Sequence, residues 1–139
     1  MITKKLDDIG IADLQQLVAN NVIEKKTLEY KSKLPGNSDG EKKEFLADVS
    51  SFANTLGGDL IFGVSEKDNK LIEELGFELE NPDLEIARLE NIIRDGIAPR
   101  LEVEVKIVHI NSSKKVLIIR IKASLYTPHR VIFQKHDKF

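Results

Sequence analysis

Residues 41–68 read EKKEFLADVSSFANTLGGDLIFGVSEKD, and this stretch decides the fold. Ser38 followed three residues later by Glu41 has the form of a capping box, and Phe45, Leu46, Val49, Phe52, Ala53 and Leu56 then mark one helical stripe. Gly57 stands where a left-handed residue closes a helix, so the helix is expected to stop there. Leu60-Ile61-Phe62-Gly63-Val64 is a continuous apolar run, the pattern of a strand covered on both faces. Gly63 within it marks a bend or a close backbone approach. Glu66 and Asp68 follow at the far end of that strand.

Working outward, Ile11, Leu14, Leu17 and Val18 recur at helical steps and predict a short amphipathic helix between Asp8 and about Asn20. Thr27 to Ser32 alternates, so a strand is expected with Glu29 and Lys31 on one face. Residues 34–40 are loop by composition. Leu71, Ile72, Leu75 and Gly76 suggest a short strand or turn. Asn81-Pro82-Asp83 opens a second long helix whose apolar face is Leu84, Ile86, Leu89, Ile92 and Ile93, and Gly96 with Pro99 ends it. Leu101 to Ile110 alternates with Leu101, Val103, Val105 and Ile107 inward, and a connection at Asn111 to Lys114 leads to a returning strand from Val116 to Ile121. The order predicts an α/β (α+β) sandwich in which about three helices pack on a sheet of mixed direction.

The 139 residues have room for a single domain, with its core expected between about residues 20 and 131. A composition of 41% hydrophobic and 32% charged residues is that of a globular chain, not a disordered one. Cysteine is absent, which excludes disulfides and thiolate metal sites and suits a reducing compartment. No apolar run approaches the roughly 20 residues of a membrane span, and the opening MITKKLDD lacks a signal-peptide apolar region. A cytoplasmic location is therefore expected. The net charge of -2 argues against a generic polycation, but its distribution is uneven. Residues 66–95 carry ten acids against four bases, while residues 100–139 carry nine bases against three acids. That asymmetry allows a basic face on a nearly neutral protein, or a solvated basic edge with no partner.

The glycine pair invites a nucleotide-binding reading, but a phosphate cradle needs glycines before a helix, where N–H groups point at the anion. Gly57-Gly58 follows its helix, so a cap and a tight turn are the expected role. The carboxylates Glu24, Glu29, Glu66 and Asp68 could converge at one sheet edge and hold a hard divalent cation. The alternative is that Glu24 and Glu29 are solvated and answer Lys25, Lys26 and Lys31. His109, His129 and His136 lack metal-ligand spacing and are expected at the surface. Pro128-His129-Arg130 offers an arginine on a rigid turn, either for phosphate or as ordinary surface.

Leu28-Glu29-Tyr30-Lys31, the block from Phe52 to Val64 (FANTLGGDLIFGV) and Thr127-Pro128-His129-Arg130 together resemble the AlbA_2 domain of the Schlafen family, also called the divergent AAA-4 domain. The resemblance spans about residues 20 to 131. It implies an AlbA_2-like sandwich serving as a DNA-binding module of a transcriptional regulator, usually the N-terminal part of a longer protein and in places labelled ATP-binding. An excised N-terminal domain is accordingly expected. The animal Schlafen members imply a divalent-metal-dependent endoribonuclease using Mg2+ or Mn2+, whose two glutamates and one aspartate fall by motif on Glu24, Glu29 and Glu66. Glutamate at position 66 lengthens that side chain by one methylene, and a displacement of about an ångström can cost ~100-fold in rate. Asp68 is the nearby substitute. For the nucleic-acid reading, with DNA or RNA as partner, the expected phosphate contacts are Lys31, Lys33, Arg100, Lys114, Lys115, Arg120 and Arg130. A third reading is an oligomerisation module, in its simplest form a homodimer.

Overall fold

A computed structural model describes residues 1–133, so His136, Lys138 and Phe139 lie outside the described residues. Two strands with no polar face organise the structure. Strand β1 (Leu28–Lys31) pairs parallel with β2 (Gly57–Phe62), and β2 pairs antiparallel with β8 (Lys114–Lys122). On the other edge of β8 runs β7 (Glu104–His109), while β5 (Phe77–Glu78) pairs with Lys114 and Lys115. Because β7 also pairs with Lys115, β5 must occupy the β2 edge and continue the line of that strand. Two small ribbons complete the strands: β3 (Glu66–Lys67) with β4 (Lys70–Leu71), and β6 (Ile97–Ala98) with β9 (Arg130–Val131). The sheet is thus mixed in direction, as expected.

Helices cover both faces. Alternation along β2 and β8 sends Leu60, Phe62, Leu117, Ile119 and Ile121 to one side, where they meet Phe45, Leu46 and Val49 of α2 (Asp39–Ala53) and Leu89 and Ile93 of α3 (Pro82–Gly96). Ile61, Val116 and Ile118 point the other way, toward Leu14 and Val18 of α1 (Ile11–Ala19), Leu6 and Ile9 before it, and Leu71 and Leu75 of the β3–β4 region. Burial on both sides is why the strand sequences are apolar runs. The caps agree with the sequence: Ser38 Oγ accepts from the Glu41 N–H at 3.3 Å, and Asn81 Oδ1 accepts from the Leu84 N–H at 3.2 Å with Pro82 in the first turn.

Three boundaries differ. Helix α2 ends at Ala53, and Leu56, expected at the end of its apolar stripe, is 66% exposed in the turn that follows. Gly57 has φ +78° as a cap glycine would, but it opens β2. A Cβ there would come within 2.6 Å of the Ile121 carbonyl and 2.8 Å of the Ala123 nitrogen, so the close strand approach requires glycine as much as the turn does. The strand expected over residues 101–110 is regular only from Glu104, although Leu101 and Val103 still pack on the α2–α3 side. Among the described residues, no helix is long and apolar enough to cross a membrane.

Candidate functional site

The parallel pairing of β1 with β2 places Lys31 opposite Phe62 and brings the chain toward Glu66 at the same end of the sheet. Leu28 and Tyr30 turn into the core, so Glu29 and Lys31 face α2. There they meet Glu44 and Asp48, which lie one turn apart on the flank of the apolar stripe. Lys31 Nζ is 3.6 Å from Glu29 Oε1, 3.4 Å from Glu44 Oε1 and 3.5 Å from Asp48 Oδ2. Burial works against the Lys31 charge, but Asp48 and Glu29 outweigh it and raise its proton affinity. Asp48 is pushed above the ordinary carboxyl value by burial and then by Glu29, with Lys31 opposing. Beside this cluster lies an open cleft of about 210 Å³ lined by Lys31, Lys33, Leu34, Phe45 and Asp48.

Glu24 and Glu66 act on one another, and Glu24 is within electrostatic reach of Lys31 and Asp48 as well. Glu24 lies ahead of β1, and its carboxyl is raised by partial burial and then by Glu66, while Lys31 and a hydrogen bond from the Tyr30 backbone act the other way. The Tyr30 hydroxyl donates to the Val22 carbonyl at 2.5 Å, and burial, with Glu24 and Glu66 adding, pushes its pKa up to about 12. Asp68 is exposed in the β3–β4 turn, with φ +54°. The structure therefore brings Glu24 to Glu66, and gathers Glu29 with Asp48 and Glu44 on Lys31. Among the described residues no group of three or more His, Cys, Asp or Glu is arranged to hold a metal ion. The larger carboxylate group is centred on the Lys31 ammonium. The sequence signal for Asp48 is its i, i+4 spacing from Glu44 beside the apolar stripe.

The seven cations expected at phosphate have different surroundings. Arg120 is buried and does not contact solvent phosphate: its Nε and Nη2 donate to Asp59 Oδ1 and Oδ2 at 2.9 and 3.0 Å, and Nη1 and Nη2 donate to the Lys4 and Ile2 carbonyls at 2.5 and 2.9 Å. Its position inside an apolar strand, in register with Asp59, is the reason. Lys114 pairs with Glu74, and Lys115 Nζ donates to the Leu79 carbonyl at 3.1 Å. Lys33, Arg100 and Arg130 are exposed, and none of the three forms an ion pair among the described residues.

Arg100 and Arg130 leave one corner together. His129, expected at the surface, is only 3% exposed: its Nδ1 contacts the Pro99 carbonyl at 2.8 Å and its Nε2 contacts Ser124 Oγ at 2.5 Å. A carbonyl can only accept, so Nδ1 carries a proton. Asn54, the cap residue of α2, donates to the His129 carbonyl at 2.8 Å and accepts the His129 N–H at 2.7 Å. Pro99 and His129 are thus bonded neighbours, each followed directly by an arginine, and Ala98 is the β partner of Arg130. The same knot fixes the loop between β8 and β9. Ser124 N–H donates to the Ala53 carbonyl at 2.8 Å, and Tyr126 N–H donates to Ser124 Oγ at 3.0 Å. Leu125 and Tyr126, which carry no periodic signal in the sequence, stand out at its tip, 94% and 76% exposed.

The family model for Schlafen, AlbA_2 matches residues 24–138. No curated protein matches. Among solved structures, the N-terminal domain of a putative ATP-dependent DNA helicase RecG-related protein from Nitrosomonas europaea, determined by NMR in solution, is similar with a TM-score of 0.59. It is 18% identical, and the similarity covers 84% of this chain and 78% of that one, a likeness of fold.

Proposed function

The chain belongs to the Schlafen AlbA_2 family, and from that premise we propose that it is a nucleic-acid-binding module, with DNA as its partner in a regulatory role, holding the phosphate backbone at the Arg100–Arg130 corner. The observation that carries this reading is the pair of exposed arginines, without ion pairs among the described residues, that emerge from two hydrogen-bonded neighbours. A guanidinium matches phosphate with forked donors, and two on one pinned frame bind with little ordering cost. The setting of the similar fold in a helicase-related protein is compatible with this role.

The test is fluorescence anisotropy with labelled DNA and RNA between about 50 and 200 mM salt. Binding weakens with salt at a slope of about -0.9 per phosphate contact, and Arg130→Ala or Arg100→Ala each reduces that slope by about 1, uniformly across sequences. Absence of binding to any DNA or RNA at about 50 mM salt refutes the reading. The endoribonuclease reading uses Glu24, Glu29 and Glu66 and is supported by the influence of Glu66 on the Glu24 carboxyl and by Lys31, whose charge acts on both Glu24 and Glu29. It requires structured RNA to be cleaved with Mg2+ or Mn2+ and the cleavage to disappear in Glu29→Ala; intact RNA under those conditions refutes it.

A further inference from the structure

The tip of the loop between β8 and β9 carries an aromatic ring that the core does not use. Tyr126 is 76% exposed and Leu125 beside it 94%, in a chain that buries its other tyrosine to 5%. Two exposed apolar side chains on a floppy loop would have little meaning. This loop, however, is held on both sides of its tip. Ser124 is tied through its N–H to the end of α2, and its hydroxyl meets both the Tyr126 N–H at 3.0 Å and the buried His129 ring at 2.5 Å. The Ser124–His129 contact closes the loop, so the chain re-enters the fold immediately before Arg130. Thr127 and Pro128 between them are exposed as well. The result is a solvent-facing phenol ring on a loop whose backbone is tied on both sides of its tip, followed closely in the chain by the exposed Arg130, with Arg100 leaving from the residue after the His129-bonded Pro99.

We propose that Tyr126 is a stacking platform for an unpaired nucleobase, with Leu125 widening the apolar surface and Arg130 and Arg100 holding the adjoining phosphates. The inference rests on the nucleic-acid reading of the arginine corner and makes its ligand single-stranded. A ring presented at a loop tip offers a face to a base freed from its stack, whereas the bases of an intact duplex are already stacked on one another. The cations supply the charge complementarity that marks nucleic acid as the occupant, and the pinned loop keeps the ordering cost low. Lys122, exposed at the end of β8, adds to the basic surround although it pairs with Glu104 at 3.1 Å.

The chain contains two tyrosines and no tryptophan, so its near-ultraviolet emission comes from Tyr30 and Tyr126 alone. Titration with an unlabelled single-stranded oligonucleotide is expected to quench the Tyr126 share of that emission. Tyr126→Phe should lose the quenching but keep the affinity within about 2-fold, while Tyr126→Ala should weaken single-strand binding by about 5- to 150-fold, the worth of one base stacked on an aromatic ring. Duplex of the same sequence should bind Tyr126→Ala and the unaltered chain alike. Single-strand binding as tight in Tyr126→Ala as in the unaltered chain, with no quenching of the unaltered chain's emission, yet falling in Arg130→Ala, overturns the platform and leaves the phosphate-binding reading standing. Equal losses for single strand and duplex also overturn it. No binding of any nucleic acid removes both. Emission that changes with protein concentration alone, and only when Tyr126 is present, would mean that a second copy covers the ring, and this too overturns the proposal.

Discussion

Replacing Asp59 by alanine should remove a large part of the stability of this fold. Its carboxylate is completely buried and accepts from Arg120 Nε at 2.9 Å, from Arg120 Nη2 at 3.0 Å and from the Ile2 N–H at 2.8 Å. The substitution leaves the Arg120 guanidinium buried, bonded only to the Ile2 and Lys4 carbonyls, with Glu104 on the neighbouring strand as the remaining carboxylate in reach. Breaking one side of a buried ion pair in this way costs about 3–5 kcal/mol, against a total of about 5–15 kcal/mol for a domain. Arg120→Ala strands the carboxylate with one backbone donor and should cost a similar amount. The isosteric change Asp59→Asn is no remedy: both carboxylate oxygens accept from donors, so whichever position the amide nitrogen takes, it meets another N–H. The double variant Asp59→Ala/Arg120→Ala removes both charges together, and its cost should fall short of the sum of the two single costs by at least about 2 kcal/mol. Urea denaturation measures all four proteins, and the single variants should melt about 10–20 °C lower by thermal scan. Single costs below about 1 kcal/mol, or costs that simply add, would refute a structural ion pair and return Arg120 to the surface role its charge suggests.

Gly57→Ala should destabilise by more than about 1 kcal/mol, because φ +78° strains an L residue and the added methyl meets the Ile121 carbonyl and the Ala123 nitrogen, which belong to the backbone and cannot swing away; a melting temperature equal to that of the unaltered chain would contradict the close approach. Asp48→Asn tests the carboxylate cluster through pH. The Asp48 carboxyl holds its proton more tightly in the fold than the ordinary value of 3.8, so its contribution to stability is fully present below about pH 3.8 and is lost as pH rises through the folded value. The variant does not undergo that loss, so relative to the unaltered chain it should gain stability between acid and neutral pH, and a gain that shrinks with rising pH would show that Lys31 governs Asp48 instead.

The sheet and its helices are legible because they rest on periodicity and caps. The run from Leu60 to Val64, the stripe from Phe45 to Ala53 and the Asn81–Pro82 start each state their environment locally. What the sequence hides depends on register, which single residues do not encode. Arg120 reads as a surface cation until β8 is laid antiparallel to β2 and Asp59 falls opposite it. Glu24 and Glu66 stand 42 positions apart, and only the parallel pairing of β1 and β2 carries the chain to both. His129 reads as exposed because a lone histidine after a proline has no pattern. Its burial follows from the Asn54, Pro99 and Ser124 contacts, which come from three separate segments.

The two ends of the sheet differ in how their charges are paired. At the C-terminal ends of β1 and β2, Lys31 is shared among Glu29, Glu44 and Asp48, and Lys114 answers Glu74. An approaching phosphate would meet Lys31 and Lys114 with their charge already met and carboxylates that repel it, with Lys33 the exposed cation left beside them. At the other end, where Gly57 pairs with Lys122, the chain crosses to the β6–β9 ribbon and exposes Arg100 and Arg130 with no carboxylate bound to either among the described residues. Of the seven basic positions counted along the sequence, Lys33, Arg100 and Arg130 are left exposed and without an ion pair among the described residues, and two of the three share that corner. Counting charges indicates the sign of a partner, but only their pairing indicates its place of contact, which is why Arg100 and Arg130 carry the functional reading and Arg120 carries the fold.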